Sequence, residues 1–287
     1  MQRKQLAAMI KADIDAYCVK TYSDTHRTHL GASIIGDDCR RRLWYIFRWA
    51  RYEHFDGRML RLFNRGHKEE ERFIEWLEGI GGTVHALTDE GKQYRISGVE
   101  GHFGGSLDAG AKLPQHYTNK LGLPANFVLP PFLGEFKTSG TGSKFADLLK
   151  KGVALCKPKH YNQMCTYGRY YGFRYALYFC INKNDDDLYI EVVELDWQLG
   201  EDNLVKAHSV ITAKEAPPKL SENPAHFECK YCHFSDICHW GQQPEKNCRS
   251  CKLAVAVENA QWFCTRYQQV IPADFIPKGC EGWTAIQ

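Results

Sequence analysis

The sequence predicts an α/β fold, with a central mixed sheet flanked by helices and a small metal-stabilised region at its C-terminal end. Two observations carry this. Apolar residues recur at helical spacing up to about residue 78 and again after residue 144, while a period of two dominates residues 83–138. Seven of the 12 Cys fall after residue 228, in a stretch with little periodicity.

The elements follow in order. Residues 2–20 place Leu6, Met9, Ile10, Ile14 and Tyr17 at helical spacing. After a polar stretch, Asp37 or Asp38 is expected to cap a helix through Leu43, Trp44, Ile46, Phe47 and Ala50. A third helix spans 58–78, with Phe73, Trp76 and Leu77 on its apolar face, and Gly79, Gly81 and Gly82 end it. Residues 83–87, 94–97, 102–109 and 132–138 read as strands, and the Pro-rich segment 114–131 as a loop. Helices are expected over 144–151 and 159–171, then strands over 174–182 and 188–195 joined by a polar hairpin turn. A helix over 197–213 ends before Pro217-Pro218.

With 44% hydrophobic and 25% charged residues, the composition excludes a disordered, collagen-like or coiled-coil chain. At roughly 150 residues per domain the length allows about two. The divisions expected are residues 1–241 and a Cys-rich tail, 242–287. The N-terminal segment is charged and lacks the apolar core of a signal peptide. No run approaches the ~18 apolar residues of a membrane span, so a cytoplasmic protein with no membrane partner is expected. In a reducing compartment clustered Cys points to metal rather than disulfides.

Glu135 and Lys137 lie two apart in an apolar strand and so project from one face. Asp108 ends the run Gly104-Gly105-Ser106-Leu107-Asp108. If the two strands are neighbours, Asp108 and Glu135 share one divalent cation, with Mg²⁺ or Mn²⁺ suited to hard oxygen ligands. Lys137 then lies beside the attacking water or the phosphate oxygens. The plainer reading is a surface Asp and an edge-strand Glu/Lys pair. His67 lies on one helix face with Glu70 and Glu71, and Gln163 shares a face with Tyr167.

Gly66-His67-x-x-Glu70, Gly105-x-x-Asp108, Gly134-Glu135-x-Lys137 and Gln163-x-x-x-Tyr167 occur in that order. In this the chain resembles the RecB-type branch of the PD-(D/E)xK nucleases. The resemblance implies a restriction-endonuclease-like fold and metal-dependent DNA hydrolysis. Asp108, Glu135, His67 and the Phe136 carbonyl would hold the metal, Lys137 would position water, and Gln163 and Tyr167 would hold the substrate strand. An imidazole ligand favours Mn²⁺ over Mg²⁺. The long separation between Asp108 and Glu135 departs from the pattern and implies an inserted loop. His102, six residues before Asp108, is expected as a structural or DNA-contacting group rather than a ligand.

In the CRISPR-associated and AddB-like members one N-terminal and three C-terminal Cys bind a 4Fe–4S cluster, and Cys39, Cys229, Cys232 and Cys238 stand in those positions. A competing reading pairs Cys229-x2-Cys232 with Cys248-x2-Cys251 as a zinc ribbon, which strands Cys39 and Cys238. On the iron–sulfur reading Cys248, Cys251, Cys264 and Cys280 remain as a second, tetrahedral Zn²⁺ site, with Trp262 and Trp283 able to cover it. Cys18, Cys156, Cys165 and Cys180 read as core thiols.

The net charge of +3 averages over a local excess. Arg40, Arg41, Arg42, Arg48, Arg51, Arg58, Arg61, Arg65 and Lys68 face only Glu53 and Asp56, and the run leads to His67. The interleaved aromatics read as core, the arginines as phosphate-binding. Lys144 opens a second basic stretch. The function expected is a DNA exonuclease acting on ends or single strands in recombination, repair or end processing. A recombinase, single-strand-binding protein or helicase is its expected partner. The alternatives are a non-catalytic DNA-binding subunit of a larger assembly and a zinc-ribbon interaction protein.

Overall fold

The computed structural model describes residues 2–23, 26–124, 126–140 and 142–286, except the side chains of 142–144. The chain forms α1 (Gln2–Tyr22), β1 (Leu30–Gly31), a 3-10 turn (Ala32–Ile34), α2 (Arg40–Phe47), α3 (Gly57–Gly79), β2 (Thr83–His85), β3 (Arg95–Gly98), β4 (Phe103–Ser106) and β5 (Ala109–Lys112). There follow α4 (His116–Lys120), β6 (Phe132–Ser139), α5 (Gly142–Cys156), α6 (Pro158–Tyr171), β7 (Tyr175–Asn182), β8 (Leu188–Glu194) and α7 (Trp197–Thr212). The C-terminal part holds α8 (Phe227–Lys230), α9 (Ser235–Trp240), β9 (Ala254–Ala256), β10 (Trp262–Cys264) and β11 (Gln269–Val270).

The expected mixed α/β architecture is present. The main sheet has the order β2-β5-β6-β7-β8, with β6 and β7 parallel and its other pairs antiparallel. β6 and β7 are its central strands and are largely buried, which their nearly continuous apolar runs anticipate. Phe73 and Leu77 of α3 pack on one face against Phe136 and Phe179. On the other side α2, α6 and α7 enclose a core that includes Trp44, Met164 and Val210.

Several boundaries differ from the sequence reading. The strand expected over 102–109 is two strands in different sheets, because the chain crosses at Leu107-Asp108 from the β1-β4-β3 sheet into the main one. His102 and Asp108, six residues apart, therefore do not share one strand. The segment 114–131 contains α4, and α5 runs on to Cys156 through a break at Gly152, whose φ of 75° favours glycine. The stretch after residue 221 is not irregular but holds two short helices and the sheet β11-β10-β9. The apolar stripe of α1 lies exposed, with Leu6, Ile10 and Tyr17 each about half accessible.

The cap of α2 is also corrected. Cys39 is the N-cap, its Sγ accepting from Arg42 N at 3.4 Å, and Asp37 Oδ1 in turn accepts from Cys39 N at 2.9 Å. Asp37 is buried and paired with Arg42 and with Lys159. Burial opposes ionisation, but hydrogen bonds from Arg42 and Lys159 outweigh it and hold the carboxyl below its ordinary 3.8. Asp37→Ala is expected to cost about 2 kcal/mol at pH 7, since it removes the buried carboxylate that pairs with Arg42 and Lys159 and leaves Arg42 only Glu228. The depressed pKa contributes stability above the unfolded value and loses it as pH falls through the folded one. The deficit should therefore shrink at pH 3 in urea denaturation; an equal deficit at both pH values would contradict this assignment.

Candidate active site

Strand alternation places Glu135 and Lys137 on one face of β6, and Phe136 on the other, where its ring meets Phe73 at 5.3 Å. Register brings Ala109 opposite Gly134, so Asp108 enters β5 beside Glu135. Asp108 Oδ2 accepts from Phe136 N at 2.8 Å, which fixes the carboxylate. Three oxygens converge on Lys137 Nζ: Glu135 Oε1 at 2.6 Å, the Phe136 carbonyl at 3.0 Å and Asp108 Oδ2 at 3.4 Å. Glu135 is fully buried. Its Oε1 faces Nζ as a short ion pair. Gln163 Nε2 of α6 donates to Oε2 at 3.3 Å.

One turn further along α6, Tyr167 is buried, and it fits because residue 105 is glycine: a Cβ there would stand 2.4 Å from its Oη. The structure thus brings together Asp108, Glu135, Phe136, Lys137, Gln163 and Tyr167. His67 stands apart as an exposed ring on α3, and its Nδ1 lies 3.5 Å from Glu70 Oε1. Glu70 itself feels the cluster. Burial, then the charge of Asp108, push its pKa above 4.5, and Lys137 and His67 act in the opposite direction. The sequence reading assigned the metal role to His67 and gave Glu70 none; its i,i+3 spacing in the motif was the available signal.

The charges are strongly coupled. Burial, and then Asp108 and Glu70, raise the Glu135 pKa against the pull of Lys137. Burial works against the Lys137 ammonium, but Asp108 and Glu135 outweigh it and hold its pKa above the ordinary 10.5. His160 lies behind the site with Nδ1 2.9 Å from Tyr178 Oη; burial, then Lys137 and Lys157, push it down to about 3, so it is neutral at pH 7. Three carboxylates against one ammonium favour cation entry.

Among the described residues no group of three or more His, Cys, Asp or Glu side chains is arranged to hold a metal ion. The carboxylate cluster nonetheless offers a hard-oxygen donor set already directed at one positive charge. Cys39, Cys229, Cys232 and Cys238 line one cavity, while Cys248, Cys251, Cys264 and Cys280 line another. The ribbon set joining Cys229 and Cys232 to Cys248 and Cys251 is thus divided between two cavities.

The arginine reading is corrected in part. Arg48 is buried and donates to Cys251 O at 2.6 Å and Ala254 O at 3.0 Å, so it has no access to phosphate. Arg41 donates to Pro217 O at 2.6 Å, Arg42 pairs with Asp37 and Glu228, and Arg51 pairs with Asp236 at 2.5 Å. Arg40 is exposed, 3.5 Å from Ser209 Oγ. The Lys144 side chain lies outside the described residues. Trp44 and Phe47 are core residues, as their spacing implied. His102 is structural: its Nε2 lies 2.8 Å from Val257 O and its ring meets Phe47 and Trp262 edge-on.

No family model matches the chain, and no curated protein matches it. Solved structures do. SSO0001 matches over 80% of this chain and 96% of its own, at 17% identity and a TM-score of 0.44. LHK-Exo in complex with dAMP matches over 69% and 90%, at 15% identity and a TM-score of 0.42. The alkaline exonuclease LHK-Exo from Laribacter hongkongensis matches over the same shares at 14% identity and a TM-score of 0.41. Among the described residues no helix is long and apolar enough to cross a membrane.

Proposed function

We propose that the chain is a metal-dependent DNA exonuclease of the PD-(D/E)xK type. The observation that carries this reading is the convergence of Asp108, Glu135 and the Phe136 carbonyl on a single cationic point beside Lys137. Those three oxygens suit Mg²⁺ or Mn²⁺. A divalent cation held there would supply positive charge to the phosphate and acidify a bound water. The chain's own groups do the rest. Asp108 is held by Phe136 N, and Gln163 orients Glu135, so both carboxylates are fixed before substrate arrives. Lys137 keeps its proton through pH 7 and presents an N–H donor to water or to a phosphate oxygen. Tyr167, kept neutral chiefly by burial, offers a hydroxyl to the substrate strand.

On the same reading Cys39, Cys229, Cys232 and Cys238 hold a 4Fe–4S cluster that ties the start of α2 to α8 and α9. Four thiols facing one cavity form a donor set that suits such a cluster, and Arg41 and Arg42 beside it offset thiolate charge.

The test is linear DNA incubated with the purified chain and Mn²⁺ or Mg²⁺. Mononucleotides released from ends, and none in chelator, are expected. Hydrolysis that persists in chelator, or none with either ion, would overturn the reading. Glu70→Gln should raise the metal concentration needed for half-maximal activity about tenfold, as loss of a supporting carboxylate does. His67→Ala measured in the same titration ranks the two α3 groups, and an unchanged requirement in Glu70→Gln would remove Glu70 from the site.

A further inference from the structure

The second cysteine cavity is separate from the carboxylate cluster and from the Cys39 set. Cys248 and Cys251 are buried, and Cys264 and Cys280 are half-buried. Together with Trp283 they line one cavity. All four are free thiols.

The backbone around them is built for sulfur. Cys248-Arg249-Ser250-Cys251 forms a tight turn, with Cys251 N donating to Cys248 O at 3.1 Å, and the turn continues as Ala254 N donates to Cys251 O at 3.1 Å. Thr284 N points at Cys251 Sγ from 3.4 Å. Cys264 is delivered by β10, opposite Ala254 of β9, and Cys280 precedes a second turn in which Trp283 N donates to Cys280 O at 3.2 Å. Trp283 Nε1 locks the two turns together through Ser250 Oγ at 3.1 Å. The sheet they frame has strands of only three, three and two residues, which is too little to order itself without a further constraint.

We propose that Cys248, Cys251, Cys264 and Cys280 hold one structural zinc ion that fixes residues 242–287 against α2. Four thiolates leave no open position, which is the donor set of tetrahedral structural zinc; the sulfurs line one cavity but are not arranged to hold an ion without it, so binding would draw them onto one point. On binding, the four thiols release four protons to solvent, and the ion compensates the thiolate charge that burial otherwise penalises. Arg266, which borders the cavity and donates to Gly282 O at 3.0 Å, offsets the remaining negative charge. This inference does not rest on the nuclease reading, because the site shares no ligand with it.

The experiment is elemental analysis of the full chain after gel filtration, together with alkylation of the native protein. One zinc per chain is expected, and four thiols should resist alkylation until a chelator is added. In Cys264→Ser/Cys280→Ser zinc should be lost while any iron is kept; in Cys229→Ser/Cys232→Ser zinc should remain. Absence of stoichiometric zinc from the unmutated chain would overturn the proposal without requiring any variant to fold. Zinc kept by the first variant, iron in place of zinc, or disulfides among these residues would overturn it equally. Loss of DNA hydrolysis with zinc intact would count only against the nuclease reading.

Discussion

Lys137→Met should slow DNA hydrolysis by about 10²–10³-fold, equivalent to about 3–4 kcal/mol of transition-state stabilisation. Lys137 Nζ is the only cation in contact with Asp108 and Glu135 among the described residues, and Met keeps the stem while removing its charge and its donors. The same change should weaken the metal-free fold. Glu135 is fully buried, and without Lys137 its carboxylate has no compensating charge. A carboxyl whose folded pKa is raised above the unfolded 4.5 loses stability as pH rises through the folded value. The deficit of Lys137→Met should therefore be about 3–5 kcal/mol at pH 8 and clearly smaller at pH 5, read by urea denaturation in chelator. An equal deficit at both pH values would mean that Glu135 is not the group left uncompensated. A variant with full activity would place the chemistry elsewhere.

The site was legible in the sequence where local rules determine position. Strand alternation alone puts Glu135 and Lys137 on one face, and helical spacing alone puts Gln163 over Tyr167. The neighbouring strand that supplies Asp108 was also anticipated, although not the crossing between sheets at Leu107-Asp108. That crossing is fixed by long-range register, in which β4 pairs with β3 while β5 pairs with β6, and no local pattern encodes it. The arginine run shows a different failure. Charge density says nothing about whether a guanidinium finds an acceptor inside the fold, and those of Arg41, Arg42 and Arg51 do. For Arg48 a signal was present: it lies four residues after the buried Trp44, hence on the buried face of α2 and its continuation. The tail hid its order because strands of two or three residues are too short to show a period.

Arg48→Ala should be the most destabilising change outside the site, at about 3–5 kcal/mol. Its guanidinium is one of the links between the end of α2 and the C-terminal segment, donating to Cys251 O and Ala254 O and lying 5.1 Å from the Trp262 ring centre and 5.6 Å from that of Trp44. Among the described residues no carboxylate pairs with it, and burial pushes its pKa down to about 10. Removing it takes one donor from each of two carbonyls, of which Cys251 O keeps its bond from Ala254 N; a carbonyl left unpaired costs about 1–3 kcal/mol, and a cavity opens between two tryptophans. One effect works the other way. Arg249 is buried nearby, stacked 4.4 Å from the Trp49 ring centre and 4.7 Å from that of Trp262, and burial, then the charge of Arg48, lower its pKa. Relief of that repulsion offsets part of the loss. Arg48→Met keeps the packing volume without the donors, so it should fall between the native chain and Arg48→Ala, and the gap between the two variants measures the cavity. Urea denaturation gives the magnitudes. Limited proteolysis should show earlier cleavage after residue 241 in Arg48→Ala, because the carbonyls that lose its hydrogen bonds belong to the segment that bears Cys248, Cys251, Cys264 and Cys280; unchanged cleavage there would show that the aromatic stack and Arg249 suffice to hold the tail.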